Sequence, residues 1–400
     1  MRTDACVIIC SRIESVRLPG KALLLIEGIP ALEHMILRLK ESGLPILIAV
    51  PEGQAREHYV RFIQAHPDHV RLFEGDPHSP LHRMAQAVEA LEPRPIYIVR
   101  RPHDDLTPAP RTLLELRDRG EAVGTGYGCT PGVIEGAGVE VIRTENLIAA
   151  ADARKEPTEY VSYFVRGEGM PFPGVTKLEP RQAIKRPYRL CLDYPEDALV
   201  LKIVLRELGA MASVDTICRY LDSRPYILNI NRQPDVTFYT CARDMERWVG
   251  DTVLSVLGTD VPSMEYIVVD DGSRDSTLSE VAKFSGDRRV RLFVNDSNVG
   301  LAASSNIAVD RARGKLIVRV DADDMLLTGP FREAWPEVAE RVRSGQENII
   351  YPAFDEVNEY GGVERTGVAG GESHHAGCAV MDRAFLSELR FRDGLKFWDG

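Results

Sequence analysis

Two segments of this chain each join a run of β-branched residues to a cluster of aspartates. Residues 266–275 run from Tyr-Ile-Val-Val into Asp-Asp-Gly-Ser-Arg-Asp, and residues 318–324 run from Val-Arg-Val into Asp-Ala-Asp-Asp. A strand that ends in carboxylates places charge at the carboxyl edge of a parallel sheet, where open α/β folds bind ligands. Carboxylates there suit a hard divalent cation that also holds diphosphate oxygens. The pair therefore predicts an enzyme that acts on a nucleotide-activated substrate.

Strand-like runs alternate with helical patterns along the chain, which is typical of βαβ units. The predicted strands are residues 5–10, 45–50, 95–99, 188–192, 236–241, 266–269, 290–294, 315–320 and 348–351. The predicted helices are residues 31–42, 82–91, 111–119, 196–208, 247–257 and 276–284. A length of 400 residues exceeds what one hydrophobic core usually holds. We therefore predict an α/β chain of two tandem Rossmann-like nucleotide-binding domains with mostly parallel sheets, residues 1–230 and 234–400.

The second half resembles a family 2 glycosyltransferase with the GT-A nucleotide-sugar fold. Residues 269–275 match the family's Val-Asp-Asp-Gly-Ser-x-Asp, residues 298–300 match Asn-x-Gly, and residues 321–324 match Asp-x-Asp-Asp. Three motifs in order are far more specific than one acid pair at a strand end, which is usually a solvated turn. Because residues 234–400 are few for a whole domain of this kind, we expect the domain to continue beyond Gly400.

This resemblance implies a role for each matching residue. Asp323, with help from Asp321, would bind Mg²⁺ or Mn²⁺ that bridges the diphosphate of a nucleotide-sugar donor. The residues placed at the nucleotide are Thr240, Asp270, Asp271, Asn298 and Asp321. Asp399 is the nearest match to the catalytic base, which would take a proton from a carbohydrate acceptor. The chain departs from the family pattern at Arg243 and Ser305, where the family has Asn and Arg.

The start of the chain combines an apolar strand with a basic loop. The loop from residue 11 to residue 21 reads Ser-Arg-Ile-Glu-Ser-Val-Arg-Leu-Pro-Gly-Lys. It is similar to the phosphate loop, Ala-Arg-x-x-Ser-x-Arg-Leu-Pro-Gly-Lys, of the cytidylyltransferases that make CMP-activated acidic sugars, closest to the spore-coat polysaccharide branch. Arginine and lysine after a strand can wrap a triphosphate with charge-assisted hydrogen bonds. The resemblance implies that Arg12, Ser15, Arg17 and Lys21 contact CTP.

The same resemblance implies two magnesium ligands in the first half. Asp104 follows the predicted strand 95–99, and Asp193 stands in Leu-Asp-Tyr-Pro-Glu-Asp, where the family has Val-Asp-Thr-Pro-Glu-Asp. The motifs on the substrate side differ more, because residues 102–106 lack the family's Gly and residues 136–141 keep Glu140 but lose an Asp. Two interpretations stay open: an active CTP-dependent nucleotidyltransferase, and a non-catalytic nucleotide-binding or dimerisation module.

Composition and charge exclude some classes of function. The formal net charge of −11 argues against a nucleic-acid partner. No apolar run reaches the roughly 18 residues of a transmembrane helix, and the start, Met-Arg-Thr-Asp, is not a signal peptide. Seven cysteines without a Cys-x-x-Cys pair favour reduced thiols and a cytoplasmic location. Because related cytidylyltransferases are often dimers, the resemblance also points to a homodimer.

The leading hypothesis is a bifunctional enzyme of polysaccharide biosynthesis. Its first domain would activate a sugar or sugar acid with CTP and release pyrophosphate, and its second would transfer a sugar from a nucleotide-sugar donor to a carbohydrate acceptor. The alternative is a glycosyltransferase whose first half only binds nucleotide or forms a dimer. A third interpretation is a nucleotide sensor, in which both sites bind and neither turns over.

Overall fold

The structure is a computed structural model. It describes residues 4–15, 17–53, 56–102, 114–115, 117–118, 124–130, 134–158, 161–166, 169–179, 186–344, 349–350, 353–357, 363–367, 379–383, 386 and 391. Contacts divide the chain into two compact units, Met1–Arg232 and Gln233–Gly400. None of the described helices combines the length and the apolarity that crossing a bilayer requires.

The first unit is built on one large sheet. Its described strands are β1 (Ala5–Cys10), β2 (Leu25–Ile26), β3 (Ile29–Pro30), β4 (Ile46–Pro51), β5 (Val70–Gly75), β6 (Tyr97–Pro102), β7 (Tyr127–Cys129), β8 (Glu140–Arg143) and β9 (Val175–Lys177). Seven of them form the sheet in the order β5-β4-β1-β6-β8-β7-β9, and β2 pairs with β3 separately. β5, β4, β1 and β6 are parallel, whereas β8 runs antiparallel to β6. The loop after β1 therefore begins at the carboxyl edge of the parallel strands, between the ends of β4 and β6.

Helices cover both faces of this sheet. The described helices are α1 (Ala31–Lys40), α2 (Glu57–Ala65), α3 (Pro80–Glu89), α4 (Thr144–Ala153), α5 (Val161–Phe164), α6 (Pro195–Leu208), α7 (Val214–Asp222) and α8 (Pro225–Leu228). Val7 and Ile9 of β1 pack with α1 and α2, whereas Cys6 and Ile8 pack with α3 and α4. Because successive residues face opposite sides, a central strand covered on both faces reads as a continuous apolar run.

The predicted strand at residues 188–192 is wrong. The segment forms isolated bridges instead of a strand, one of them between Arg189 and Glu135, with the Leu190 amide donating to the Glu135 carbonyl at 2.8 Å. Leu190 and Leu192 are buried in a separate cluster with helices α6 and α7. Their alternation therefore reflects packing onto helices instead of pairing in a sheet, and the segment delivers Asp193 to the start of α6.

The second unit repeats the parallel plan with a smaller sheet. Its described strands are β10 (Val236–Ala242), β11 (Met264–Asp270), β12 (Val290–Val294), β13 (Leu316–Arg319), β14 (Ile349–Ile350), β15 (Phe354–Val357), β16 (Val363–Gly367) and β17 (Val380–Asp382). The six-stranded sheet has the order β12-β11-β10-β13-β17-β14, and β15 pairs with β16 separately. The first four are parallel, and β17 is antiparallel to β13.

The helices of the second unit bury its parallel strands on both sides. The described ones are α9 (Val249–Gly258), α10 (Thr277–Ala282), α11 (Leu301–Arg311) and α12 (Thr328–Arg343). α9 and α12 pack on one face and α11 packs on the other. All seven residues of β11 are consequently buried. Each buried valine or isoleucine contributes roughly 1.5–3 kcal/mol relative to exposure, so β11 rigidly positions the aspartates at its end.

The predicted α/β class with two mostly parallel sheets is confirmed. Helices α2, α4, α5, α7, α8, α11 and α12 were not predicted. α11 begins Leu-Ala-Ala-Ser-Ser-Asn, which has a weak apolar stripe, and α12 contains Pro336, which normally argues against a helix interior. Most of the predicted helix at residues 111–119 lies outside the described residues.

Candidate functional site

The aspartates of the second unit converge on one edge of its sheet. β11 ends at Asp270, which pairs with Ala242 at the end of β10, and β13 ends beside them at Arg319. Cys241 of β10 interacts electrostatically with both Asp321 and Asp271. The two acidic segments singled out in the sequence therefore meet across the central strand, at the carboxyl edge where α/β folds bind ligands.

Asp270 has one carboxylate oxygen that no described residue contacts by a hydrogen bond. The residue is only 2% exposed, and its Oδ2 accepts a hydrogen bond from the Ser273 amide at 3.3 Å. No described residue donates to the buried Oδ1. A buried acceptor left unsatisfied costs about 1–3 kcal/mol, so a ligand N–H at this oxygen would recover that cost. This geometry suits the predicted contact with the base of a nucleotide.

Asp271 instead holds the loop that precedes α11. Its Oδ1 accepts from Asn295 Nδ2 and from the Val299 amide, both at 2.9 Å, and its Oδ2 accepts from the Gly300 amide at 2.9 Å. Burial raises the pKa of this carboxyl, but the hydrogen bonds from Val299, Asn295 and Gly300 outweigh it and hold the pKa below its ordinary value. Asn298 is exposed in the same loop, with its Oδ1 accepting from the Gly300 amide. Contacts of Asp271 and Asn298 with nucleotide stay predictions.

Thr240 lies beneath this edge. It is fully buried, and its hydroxyl donates to the Val320 carbonyl at 2.7 Å and bonds to the Tyr266 hydroxyl at 2.7 Å. These bonds tie β10 to its neighbours on both sides, at the level where the acidic segments begin. The structure thus gives Thr240 a role in fixing the strand ends, while its contact with nucleotide stays a prediction.

In the Asp-x-Asp-Asp segment, Asp321 is paired and Asp323 is available to a ligand. Arg319 donates to Asp321 Oδ1 from Nε at 2.7 Å and pairs with it through Nη2 at 2.6 Å. Asp323 is exposed, and none of the described residues hydrogen-bonds or ion-pairs with its carboxylate. Oxygen donors of this kind fit Mg²⁺ or Mn²⁺, with Asp323 as the available ligand and Asp321 shared with Arg319. Sequence reasoning missed Arg319, although an arginine inside an otherwise apolar strand was a signal.

The loops after β10 and β11 are bonded to each other. The Arg274 amide donates to Asp244 Oδ1 at 2.7 Å, the Glu246 amide donates to Asp275 Oδ2 at 3.0 Å, and the Met245 amide donates to Thr277 Oγ1 at 2.6 Å. Asp275, the last acid of the first motif, therefore serves to order these loops around the site.

In the first unit, the basic loop after β1 closes on itself. The Ile13 carbonyl accepts from the amides of Ser15 at 3.0 Å and Gly20 at 2.9 Å, and the Ser15 hydroxyl accepts from the Leu18 amide at 3.4 Å. Gly20 has φ of 69°, a left-handed conformation that favours glycine. The turn brings Lys21 back beneath the loop.

Asp193 is the centre of a network of basic side chains. Its Oδ1 accepts from Lys21 Nζ at 2.8 Å, and its Oδ2 accepts from Arg17 Nη1 at 3.0 Å and Arg189 Nη2 at 2.8 Å. Burial raises the pKa of Asp193, but Lys21 and Arg17 outweigh it and hold the pKa well below its ordinary range. The structure thus brings two of the predicted phosphate-loop residues, Arg17 and Lys21, together with Asp193. Arg189 was missed, because nothing in the sequence shows which way it points.

Asp197 supports this network from the first turn of α6. Its Oδ2 accepts from the amides of Asp193 and Tyr194, both at 2.9 Å. Its Oδ1 accepts from Arg189 Nε at 3.1 Å and from Asn231 Nδ2 at 3.0 Å. A carboxylate at this position also interacts favourably with the helix dipole. Asp193 is therefore held at a defined place beside the phosphate loop.

The donor set around Asp193 does not fit magnesium in this arrangement. Glu135, Cys191 and Asp193 bring potential ligand atoms within 4.8 Å of one another. However, Arg189 donates to both carboxylates, and a thiol is a poor ligand for an oxygen-preferring cation. Asp104, the second predicted ligand, lies outside the described residues, as does Asp399. The pair Asp104–Asp193 as a magnesium site stays a prediction.

Glu140 anchors a polar cluster on the antiparallel side of the first sheet. Arg100 Nη1 donates to its Oε2 at 2.5 Å, the Tyr127 hydroxyl donates to its Oε1 at 2.6 Å, and the Ser162 hydroxyl also donates to Oε1. Burial raises the pKa of Glu140, but Arg100 and these hydroxyls hold it below its ordinary value. The Glu140 retained from the family motif is therefore an ionised, fully engaged side chain.

Each of the two units matches a different known family. Residues 6–160 match the family model for cytidylyltransferase, and residues 236–368 match the model for glycosyl transferase family 2. The chain carries a cytidylyltransferase domain followed by a family 2 glycosyltransferase domain. Both resemblances drawn from the sequence motifs are thereby confirmed.

Known proteins similar to this chain cover parts of it. A solved cytidylyltransferase from Leptospira borgpetersenii superposes with a TM-score of 0.51 at 19% identity, covering 58% of this chain and 98% of that protein. At this identity the likeness shows the fold alone. An uncharacterised glycosyltransferase of Haemophilus influenzae is 34% identical over 93 residues, and hyaluronan synthase of Pasteurella multocida is 37% identical over 99 residues. These matches span 23% and 24% of this chain, and 29% and 10% of the two relatives.

Proposed function

We propose that this chain is a two-domain enzyme of polysaccharide biosynthesis. The family 2 glycosyltransferase domain transfers a sugar from a nucleotide-sugar donor to a carbohydrate acceptor, with Mg²⁺ or Mn²⁺ as cofactor. The cytidylyltransferase domain transfers a cytidylyl group from CTP to a sugar or sugar acid and releases pyrophosphate. The domain content and the relatives of the glycosyltransferase domain support this proposal.

One observation carries the glycosyl-transfer proposal. Asp270 has a buried carboxylate oxygen and Asp323 an exposed carboxylate, both without a partner among the described residues, and they lie on the same carboxyl edge of one sheet. The first suits the N–H of a base, and the second suits a cation beside a diphosphate. A nucleoside diphosphate sugar carries its base and its diphosphate on either side of the ribose, so a single donor could contact both residues.

The reaction needs little covalent chemistry from the protein. The acceptor hydroxyl oxygen bonds to the anomeric carbon while the bond from that carbon to the diphosphate oxygen breaks, and the electron pair stays on the diphosphate. Asp399, outside the described residues, is proposed to take the hydroxyl proton. A bound divalent cation supplies charge stabilisation for the leaving diphosphate. The bonded loops after β10 and β11 keep the donor's nucleoside end in place.

The cytidylyl transfer follows the same logic at the α-phosphate. A substrate hydroxyl oxygen bonds to the α-phosphorus while the bond to the bridging oxygen breaks, and pyrophosphate leaves with the electron pair. Arg12, Arg17 and Lys21 would neutralise the triphosphate. Because Arg17 and Lys21 pair with Asp193, they would exchange part of that pairing for phosphate oxygens when CTP binds.

The alternative, a nucleotide-binding first domain without turnover, is favoured by one feature. Three basic side chains occupy both oxygens of Asp193, which leaves that carboxylate poorly suited to a magnesium ion. In this alternative CTP binds to the loop, and the second domain alone performs transfer.

Two assays test the proposal on the full chain. Pyrophosphate release from CTP is measured over a panel of sugar acids and sugar phosphates, with Lys21→Ala as the comparison. No release with any acceptor, combined with a CTP-induced thermal shift, supports the binding-module alternative. Metal-dependent hydrolysis of UDP- and GDP-sugars is measured for the wild type and Asp323→Ala. Unchanged hydrolysis in the variant removes Asp323 from the site.

A further inference from the structure

Arg319 is the last residue of β13 and places a buried guanidinium at the acidic edge of the second sheet. Its backbone pairs with Tyr239 of the central strand β10, and the Val320 amide donates to the Tyr239 carbonyl at 2.9 Å. Ile317, two residues earlier in β13, packs with Tyr239 on the face that α11 covers. Because side chains two residues apart on a strand share a face, Arg319 lies on this face as well. The residue is 8% exposed, so its guanidinium is anchored within the packed sheet.

The two donors that Arg319 offers to Asp321 converge on one carboxylate oxygen. Nε donates to Asp321 Oδ1 at 2.7 Å, and Nη2 pairs with the same oxygen at 2.6 Å. None of the described residues hydrogen-bonds or ion-pairs with the other oxygen, Oδ2. Two charge-assisted contacts from a rigid guanidinium restrict the rotation of the carboxylate. Asp321 is therefore held through Oδ1, while Oδ2 is available to a ligand.

The backbone after Asp321 connects this ion pair to Asp323. The Asp324 amide donates to the Asp321 carbonyl at 3.1 Å, which closes a turn over residues 321–324. Asp323, the exposed carboxylate of the site, lies inside that turn. A group that holds Asp321 in place consequently also limits the movement of Asp323. Partners of this kind behind a metal ligand typically contribute roughly 10- to 100-fold to the affinity for the metal.

The neighbouring helix has a small residue on the same face. Ser305 of α11 is 1% exposed, and its Oγ lies 3.7 Å from Sγ of Cys241, which faces the same side of β10 as Tyr239. The family pattern has an arginine at the position of Ser305. An arginine there would add a second guanidinium to the face that already holds Arg319, and burying an uncompensated charge is strongly unfavourable. The serine is therefore compatible with a positive charge that comes from β13.

We propose that Arg319 is a positioning residue of the donor site. It holds Asp321, and through the turn also Asp323, in the orientation that binds the divalent cation of a nucleotide-sugar donor. This inference rests on the proposed metal-dependent glycosyl transfer and adds to it a residue that acts through Asp321. Loss of the guanidinium should therefore weaken the binding of the cation and leave the binding of the nucleotide alone unchanged.

Titration of the full chain with Mn²⁺ in the presence of UDP or GDP tests this role, with free Mn²⁺ measured by electron paramagnetic resonance. We expect Arg319→Gln to weaken Mn²⁺ binding by roughly 10- to 100-fold and to leave metal-free nucleotide binding, measured by calorimetry, unchanged. Arg319→Lys keeps the charge but lacks the paired donors, so its loss should be smaller. Arg291→Gln is the matched control, because Arg291 Nη1 pairs with the buried Glu265 at 2.7 Å near the amino ends of β11 and β12. That variant should lose stability and keep the Mn²⁺ affinity of the wild type.

A double-mutant cycle with Asp321→Asn shows whether Arg319 acts through Asp321. If it does, Arg319→Gln should cause no further loss of Mn²⁺ affinity in the Asp321→Asn background, because the carboxylate that it positions is already gone. Additive losses in the double variant would give Arg319 an effect independent of Asp321 and contradict the positioning role.

Two further results overturn the inference: unchanged Mn²⁺ binding in Arg319→Gln, and an equal loss for the metal-free nucleotide. If Arg319→Gln does not fold, crystals of the wild-type chain soaked with Mn²⁺ and UDP decide the matter. Arg319 bonded to Asp321 Oδ1 beside a cation at Oδ2 or Asp323 is expected, and Arg319 turned away from Asp321 contradicts the role. A wild-type chain that binds UDP and GDP equally well with and without Mn²⁺ rejects the proposed metal-dependent transfer itself, a failure distinct from the loss of the role of Arg319 alone.

Discussion

Asp270 and Asp271 are adjacent in the chain but have opposite surroundings. Asp271 accepts three hydrogen bonds from the segment at residues 295–300, whereas Asp270 keeps a buried oxygen without a described partner. Carboxylates that are fully bonded within the protein stabilise it, and those left unsatisfied suit a ligand. The pair therefore offers a matched comparison between stability and binding.

We expect Asp270→Asn and Asp271→Asn to separate these two roles. Asp271→Asn should lower the free energy of unfolding by roughly 1–3 kcal/mol, because an amide cannot accept all three bonds. Asp270→Asn should change stability little and weaken binding of the donor nucleotide by about 10-fold or more. Urea unfolding and titration with UDP and GDP measure the two effects. Equal stability losses in both variants would falsify the division.

The pairing of Asp193 predicts a pH dependence of stability. Its folded pKa is depressed below the unfolded value of about 3.9, so its contribution is present above that pH and is lost as the pH falls through the folded pKa. We expect Asp193→Asn to be less stable than the wild type by roughly 3 kcal/mol at pH 7, and the difference to shrink below about pH 4. Urea unfolding at pH 7, 5 and 3 measures it. A difference that is constant down to pH 3 contradicts the ion-pair account.

At the scale of elements, the approach of β13 to β10 depends on a glycine. Gly314 precedes β13, and a Cβ there would stand 2.4 Å from the Thr237 amide nitrogen and 2.5 Å from the Val236 carbonyl carbon. Both contacts are with backbone, so a side chain could be accommodated only by moving one strand. Such a shift would also displace Asp321 and Asp323, which follow β13.

We expect Gly314→Ala to destabilise the second unit by about 2 kcal/mol or more and to weaken metal-dependent donor binding, because strand separation moves both aspartates. Gly329→Ala is the control, since nothing lies within 4 Å of its added Cβ and alanine favours the helix α12. Thermal unfolding and donor titration are compared for the two variants. Equal behaviour of the two alanine variants rules out this steric account.

At the scale of the whole molecule, the chain has two compact units. Each unit has its own hydrophobic core and its own sheet, with a candidate site at the carboxyl ends of the parallel strands. The three tryptophans, Trp248, Trp335 and Trp398, all belong to the second unit. Their fluorescence therefore reports that unit, while circular dichroism reports both. The two proposed sites can be followed separately in one sample.

We expect CTP to shift the unfolding of the first unit and leave the tryptophan transition unchanged. A ligand at 100 times its dissociation constant stabilises the state that binds it by about 2.7 kcal/mol. UDP or GDP with Mn²⁺ should instead shift the tryptophan transition. Lys21→Ala should abolish only the CTP effect. A CTP-induced shift of the tryptophan transition contradicts the assignment of CTP to the first unit.

Prediction from sequence succeeded where a local pattern contained the whole signal. The strand at residues 5–10 is observed with those bounds, and Asp270 does end a buried strand. The prediction of a strand at residues 188–192 was wrong, because alternating apolar residues do not distinguish a segment that pairs in a sheet from one that packs onto helices. α12 was missed because Pro336 argues locally against a helix that tertiary packing of Trp335 stabilises.

The amino-acid order by itself determined two α/β units, acidic strand ends in one and a basic loop in the other, because these depend on neighbours a few residues apart. Only the tertiary structure decided which charged groups are paired within the protein. Lys21 donates a hydrogen bond to Asp193, 172 positions away, and the Gly300 amide donates one to Asp271, 29 positions away. Burial and pairing between such distant positions depend on how the elements pack, and they separate a ligand-binding carboxylate from a structural one.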